Sequence, residues 1–350
     1  MKRSNIGGQG VLEGVMMRAP EVCGLAVRKK SGEIVYDKES VTPATKKNKF
    51  FGLPVIRGVV SFIDMLGYGV KTITKSAKMF DEETEDYEPS KFEKFIAKKT
   101  GKDVMDIAMV VAVIFALGLA VGIFFVIPSV LANIVRPHIT SPIVMNLIEG
   151  GIRLVIFITY IVLITMLKDI KRVFRYHGAE HKTINAYEHE EELTVENVQK
   201  YKTLHPRCGT SYLLLVMVTS ILLFSLLGWS PAWYARIGLR LLMLPVVAGI
   251  SYELLKFAAL GDNLFFRAIR WPGMMMQKLT TAEPDDGMVE VAIVAFDAAM
   301  DEMDDEQLSE LASGYSRAKK KTADKEETAE EQTTEEQATE EQTTKAPKDA

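Results

Sequence analysis

The chain has 350 residues, 48% of them apolar, and its mean hydropathy of +0.08 averages two unlike parts. Residues 282–350 hold 21 acidic and 7 basic side chains, a formal charge of −14, which leaves +10 on residues 1–281 within the total of −4. That split excludes an evenly soluble protein and predicts a basic, apolar body against anionic lipid, with an acidic tail in water. Cys23 and Cys208 are too few and too far apart for a secreted disulfide framework, and MKRSNIGGQG reads as no cleavable signal peptide.

Residues 1–50 read as a small cytoplasmic β unit, with short strands expected over 11–18, 22–28 and 33–36 between Pro- and Gly-containing turns. Four glycines surround Glu13 in GGQGVLEGV. They serve either tight packing or the approach of Glu13 or Arg18 to a functional site; the Gly-Lys-Ser/Thr ending of a phosphate loop is absent. Residues 51–102 read as an interfacial amphipathic helix over 53–80 and a charged connector over 82–102. In that helix Val55, Val59, Phe62, Ile63, Leu66, Val70 and Ile73 recur at helical spacing, while Arg57 and Asp64 argue against a full span.

Residues 103–280 read as a membrane domain of about four helices. Residues 107–135 carry no charge, and about 20 apolar residues suffice to cross the hydrocarbon layer; Pro128 is expected to mark the far end. A second span is expected over 145–167, where Glu149 and Arg153 stand one turn apart as an ion pair near the outer surface. The third is expected over 210–229 and the fourth over 237–257. Near the inner end of the fourth, Glu253 either pairs with a basic neighbour such as Lys256 or reaches the histidines described below. Trp229, Trp233, Tyr234 and Trp271 suit headgroup depth. The Lys and Arg residues flanking the spans predict a multi-pass protein of the cell membrane with both termini cytoplasmic. Residues 264–279 read as a surface-lying segment broken at Pro272-Gly273. Residues 281–313 read as short cytoplasmic helices, the first opened by Asp285 and Asp286, and residues 314–350 as a disordered acidic tail. The fold class is thus an α-helical polytopic membrane protein with interfacial amphipathic helices and a small N-terminal β unit.

Four of the five histidines fall in the cytoplasmic loop 168–209. If residues 175–187 are helical, His177 and His181 present both imidazoles from one face. With Glu180 they spell H-x-x-E-H, an order that resembles the inverzincin metal motif. His177, His181, His205 and Cys208 are the candidate ligands for a divalent metal, Zn²⁺ foremost, and Glu180 is the candidate catalytic base. A closed shell of all four ligands would be structural; an open position would be catalytic. The alternative is a set of polar residues satisfying one another at a packing point. Lys182 and Arg207 would oppose a cation if they turned inward, Glu188 shares the helical face, and His189 lies off the line and is expected at solvent.

Three stretches, IGGQGVLEGVMMR, HGAEHKTINAYE with its downstream LHPRCGTSY, and LTTAEPDDGMVEVAI, resemble the YqhQ-like family of uncharacterised bacterial membrane proteins over residues 5–300. The resemblance implies a membrane-embedded, metal-dependent protein without an established reaction. His177, Glu180, His181, His205 and Cys208 match the family's most characteristic polar stretch. On the residues alone the first reading is a non-enzymatic membrane scaffold or assembly factor, with membrane lipids around its spans and a protein partner at the loop. A metal-dependent, peptidase-like hydrolase using activated water is the second, and a small transporter the third. The spans carry few polar residues and no pair of broken helices, against transport. The basic residues cluster at membrane boundaries, so no nucleic-acid partner is expected.

Overall fold

The computed structural model describes residues 5–80, 104–206, 208–229, 232–258, 260–261 and 263–317. The connector expected over 82–102, the acidic tail beyond 317 and Arg207 lie outside them. Four antiparallel strands stand in chain order: β1 Gly7–Val11, β2 Gly14–Arg18, β3 Val22–Arg28 and β4 Ile34–Ser40. The single strand expected over 11–18 is corrected to a hairpin, because Leu12 and Glu13 turn the chain between the paired Val11 and Gly14. Two-residue hairpins need positive φ, and Glu13 adopts φ 50°. Its carboxylate holds that unfavourable geometry in place by accepting from Arg172 Nη2 at 2.6 Å and from the Tyr176 hydroxyl at 3.2 Å.

Alternation along the strands gives the sheet two apolar faces. Val11, Met16, Leu25 and Val27 pack beneath Tyr68, Met79 and Phe80 of α1, Ile56–Phe80. Val15, Met17, Ala26 and Ile34 face α5, Lys168–Glu188, and α10, Asp286–Met300, in the main core. Asp285 caps α10 as expected, accepting from the Met288 N–H at 3.0 Å. A further helix covers 305–317 and adds Leu308 and Ala312 to the same core.

Between these lie α2 Val104–Val121, α3 Ile127–Val135, α4 Pro142–Thr165, the short α6 Val195–Gln199, α7 Gly209–Ser225, α8 Trp233–Ala258 and α9 Leu264–Thr280. Among the described residues three stretches are long and apolar enough to cross a membrane: Val110–His138, Pro142–Thr165 and Trp233–Ala258. The third span expected from sequence is the 17-residue α7, a shorter apolar helix that ends at Ser225. The chain is therefore a multi-pass helical membrane protein. Pro128 does not end the first span, contrary to expectation. A π-helical turn, Gly122–Val126, precedes it, and the helix runs on to Val135. A proline strips the carbonyl four residues back of its helical partner; that carbonyl, on Phe124, accepts instead from Arg153 Nε at 2.7 Å. Nor is 264–279 broken at Pro272-Gly273. The helix continues through both, with Gly273 set against Ser211 of α7 and Met276 clustered with Leu214 and Ile161.

Glu149 and Arg153 do pair, one turn apart on α4. Both are buried among the spans, 3.2 Å apart, and Arg240 of α8 reaches the same Glu149 oxygen. Arg240 also donates to Asn146 at 2.8 Å, and Arg236 to Ser129 at 2.8 Å. Glu253 is bound by Arg57, Nε at 2.7 Å and Nη2 at 2.5 Å, which ties α1 to α8 rather than to the histidines.

In α10, burial pushes the Asp297 carboxyl up to about 6, and the charge of Glu302 adds to the effect. The folded value thus exceeds the unfolded one of roughly 4, so ionising Asp297 costs stability as pH rises from 4 through 6. D297N should remove that cost. After discounting for partial exposure it should stabilise by about 1–2 kcal/mol at pH 8, with no difference from wild type at pH 4, read as thermal melting in detergent.

Candidate metal centre

Met166 and Leu167 interrupt the helix between α4 and α5, with Leu167 extended at ψ 128°, so α5 leaves the membrane helix on a new axis. From Tyr176 to Ala186 every α5 residue is buried. The sheet lies on one side of it, and the chain from α9 into α10 crosses another: the Ala282 N–H donates to the Phe174 carbonyl at 3.0 Å. Gly178 allows this crossing, because a Cβ there would meet the Ala282 oxygen at 2.0 Å.

The four-residue spacing brings the His177 and His181 rings to 4.5 Å between centroids. One ligand atom each from His177, His181 and Cys208 lies within 4.8 Å of the other two, all three residues buried. The Cys208 sulfur is 3.3 Å from His177 Nε2 and accepts from the Thr210 N–H at 3.4 Å, at the start of α7. His177 Nδ1 contacts the Thr280 carbonyl at 2.9 Å and His181 Nδ1 the Thr203 carbonyl at 2.5 Å. A carbonyl only accepts, so both Nδ1 atoms carry the proton and both Nε2 lone pairs turn toward the cluster. That is the orientation metal-binding imidazoles take, with the outer nitrogen fixed by a backbone carbonyl.

Glu180 places Oε2 at 3.7 Å from His177 Nε2 and 3.5 Å from His181 Nε2. Burial pushes its carboxyl above the usual carboxylate range, opposed by His177, His205 and the Gly8 N–H it accepts. Glu180 Oε2 and His181 Nε2 are both buried without a hydrogen-bond partner. Two adjacent orphaned acceptors are costly in a folded protein, and a cation among the three ligands answers both. The donor set of two imidazoles and a thiol can thus hold a divalent metal ion.

His205 lies beside this group rather than in it. Its ring centroid is 5.8 Å from that of His181, and its Nε2 stands 3.4 Å from Glu188 Oε2. Gln277 clamps its backbone on both sides, accepting from the N–H at 2.8 Å and donating to the carbonyl at 2.7 Å. His189 is exposed, as expected, against Tyr201. Lys182 turns away from the centre to Glu283, 2.7 Å, and to the Gln199 carbonyl. Sequence reasoning missed the carbonyls of Thr203 and Thr280 and the Gln277 clamp. The glycine-rich opening was the available signal for one contact: a Cβ on Gly8 would stand 2.9 Å from Glu180 Cγ.

A cavity of about 440 Å³ opens over the cluster, lined by Glu180, His181, His205 and Cys208 on one side. Residues 6–9, Arg18, Phe62, Met65, Tyr212 and Leu255 form other walls. Arg18 therefore lines the cavity, where it pairs with Asp64 at 3.0 Å, whereas Glu13 serves the hairpin.

Buried ligands, an adjoining carboxylate and a cavity at the ends of apolar spans define a multi-pass membrane protein with a candidate metal centre. The chain belongs to the family described as "Protein of unknown function (DUF1385)", whose family model matches residues 53–302. It is 34% identical over 291 residues to "Uncharacterized protein YqhQ" of Bacillus subtilis (strain 168), covering 83% of this chain and 90% of that one. No solved structure matches the chain.

Proposed function

We propose that the chain is a membrane-bound, metal-dependent hydrolase. What supports this most is that the three-ligand cluster borders a cavity instead of being closed by a fourth ligand, with Glu180 at its edge. Three protein ligands and an open position are the catalytic arrangement; four closed ligands are the structural one. The scaffold reading lacks comparable support. His181 is 1% exposed and Glu180 2%, so the constellation is reached through the cavity and not from the loop's outer surface.

His177, His181 and Cys208 would hold the ion, and nitrogen with sulfur donors suits Zn²⁺. When bound, the ion acidifies water and polarises the bond under attack. Glu180 takes the proton from the attacking water and returns it to the leaving group. The Thr203 and Thr280 carbonyls keep the imidazoles oriented, and His205, its Nε2 facing Glu188, lines the cavity beside them. The Lys and Arg residues around the loop favour placing it, with both termini, on the cytoplasmic side.

E180Q in detergent should keep about one equivalent of Zn²⁺ by elemental analysis. It should lose on the order of 10²–10⁴-fold of the hydrolytic rate on a panel of an acyl ester, a phosphodiester and apolar peptides. Loss of the metal in E180Q would make Glu180 a fourth ligand and defeat the proposal.

A further inference from the structure

The cavity walls also bear on the class of substrate, an inference that rests on the proposed hydrolase activity. Among the described residues lining it, Arg18 is the one Lys or Arg, and it is committed to Asp64 while lying over the Tyr68 ring at 4.5 Å. A phosphate-bearing headgroup calls for uncommitted cations or a row of free N–H groups. Here Arg18 is taken by Asp64 and the Gly8 N–H by Glu180. Beyond the metal cluster the walls are neutral overall, and Phe62, Met65, Tyr212 and Leu255 make them largely apolar. The chemistry favoured is an uncharged acyl bond flanked by apolar groups.

The sheet adds the second observation. β1 is an edge strand whose described partner is β2 alone, and its residues Gly7, Gly8 and Gln9 line the cavity. Val11 and Gly14 close the two-residue hairpin as a hydrogen-bonded pair, so the alternation turns the backbone groups of Gly8 and Gly10 to the unpaired edge. The Gly8 N–H shows this by donating to Glu180. The Gly8 carbonyl lies one peptide plane from that donor, next to the proposed base. Gln9 brings a further amide, its Nε2 buried without a hydrogen-bond partner.

We infer that the substrate is an extended polypeptide segment that pairs with the edge of β1 at the Gly8 carbonyl and seats an apolar side chain between Phe62, Met65 and Tyr212. An edge strand supplies the backbone register, and pockets on alternate sides supply the selection. The cavity lies where α1, with Ile63, Leu66 and Ile73 exposed on its far side, meets the start of α7 and the end of α8. The segment therefore enters at the membrane surface. In the reaction the water oxygen bonds to the amide carbon as the C–N bond breaks. One water proton passes through Glu180 to the leaving nitrogen and the other follows it, leaving a carboxylate and an ammonium.

The test uses full-length protein in detergent with Zn²⁺, a library of synthetic apolar peptides, a fluorogenic fatty-acyl ester and a phosphodiester, with new peptide ends read by mass spectrometry. Cleavage inside apolar runs, lost on the order of 100-fold in E180Q, is the expected result. Methylating the peptide amides beside the cleaved bond should lower cleavage about tenfold or more, since it removes strand pairing. Cleavage indifferent to methylation would overturn the pairing on β1. Hydrolysis of the ester or phosphodiester with every peptide intact would overturn the peptide assignment and leave the hydrolase standing. Failure on all three substrates by protein that holds its metal would bring down the hydrolase and this inference together.

Discussion

H181A should emerge from purification without its metal. The His181 ring is 1% exposed and fixed at Nδ1 by Thr203, so its Nε2 is held in place toward the other two ligand atoms. Second-shell partners alone govern 10–100-fold of affinity in zinc sites, and removing a ligand should exceed that. Elemental analysis after tag removal and dialysis should give about one equivalent of Zn²⁺ in wild type and under about a tenth in H181A, with H177A close behind. H205A sits outside the three-ligand group and should keep the metal, which separates the present geometry from a closed four-ligand shell. Equal metal in wild type and H181A would dismiss the centre altogether. The same pair of proteins also separates metal loss from collapse: far-ultraviolet circular dichroism should be alike for both, because α5 is held by the sheet and α10 as well as by the ion.

What was legible in the sequence was local. His177 and His181 four residues apart, Asp285 ahead of an apolar helix, and uncharged runs long enough to span a bilayer each need only neighbouring residues to be read. What was not legible depends on partners distant in sequence. Pro128 ought to stop a helix, and it fails to because Arg153, 25 positions on, takes over the carbonyl that the proline frees. Pro272 is tolerated because α9 is braced along α7, with Gly273 on Ser211. His205 stands at H-x-x-C spacing ahead of Cys208, but the contacts that set its position, from Glu188 and from Gln277 72 residues later, are not readable from that spacing. The hairpin at Leu12-Glu13 has no Asn-Gly or Asp-Gly signal; a non-glycine residue occupies positive φ there because Arg172 and Tyr176 bind its carboxylate. In each case a local rule is broken where a long-range polar contact outweighs it.

The buried ion pairs of Glu149 carry the largest stability effect to be expected outside the metal centre. Glu149 is fully buried, and one of its oxygens serves both Arg153 and Arg240, which are 3% and 4% exposed. The arginines are otherwise met by a carbonyl, an amide and aromatic faces, Phe125 and Phe224 for Arg153, Phe224 and Trp229 for Arg240. None of these carries a negative charge. Removing Glu149 therefore leaves two buried cations without a counter-charge, and breaking a buried pair from one side costs about 3–5 kcal/mol. E149A should melt well below wild type in detergent, or fail to accumulate in the membrane. Replacing the charges together is different, because apolar residues of similar volume often match a buried ion pair. E149L/R240M should thus recover part of the loss, even though R240M alone adds a defect of its own. A double variant less stable than E149A would mean that Arg240 holds α8 through Asn146 and the aromatic rings rather than through Glu149. The ion pair would then be a passenger in the bundle instead of a tie between α4 and α8.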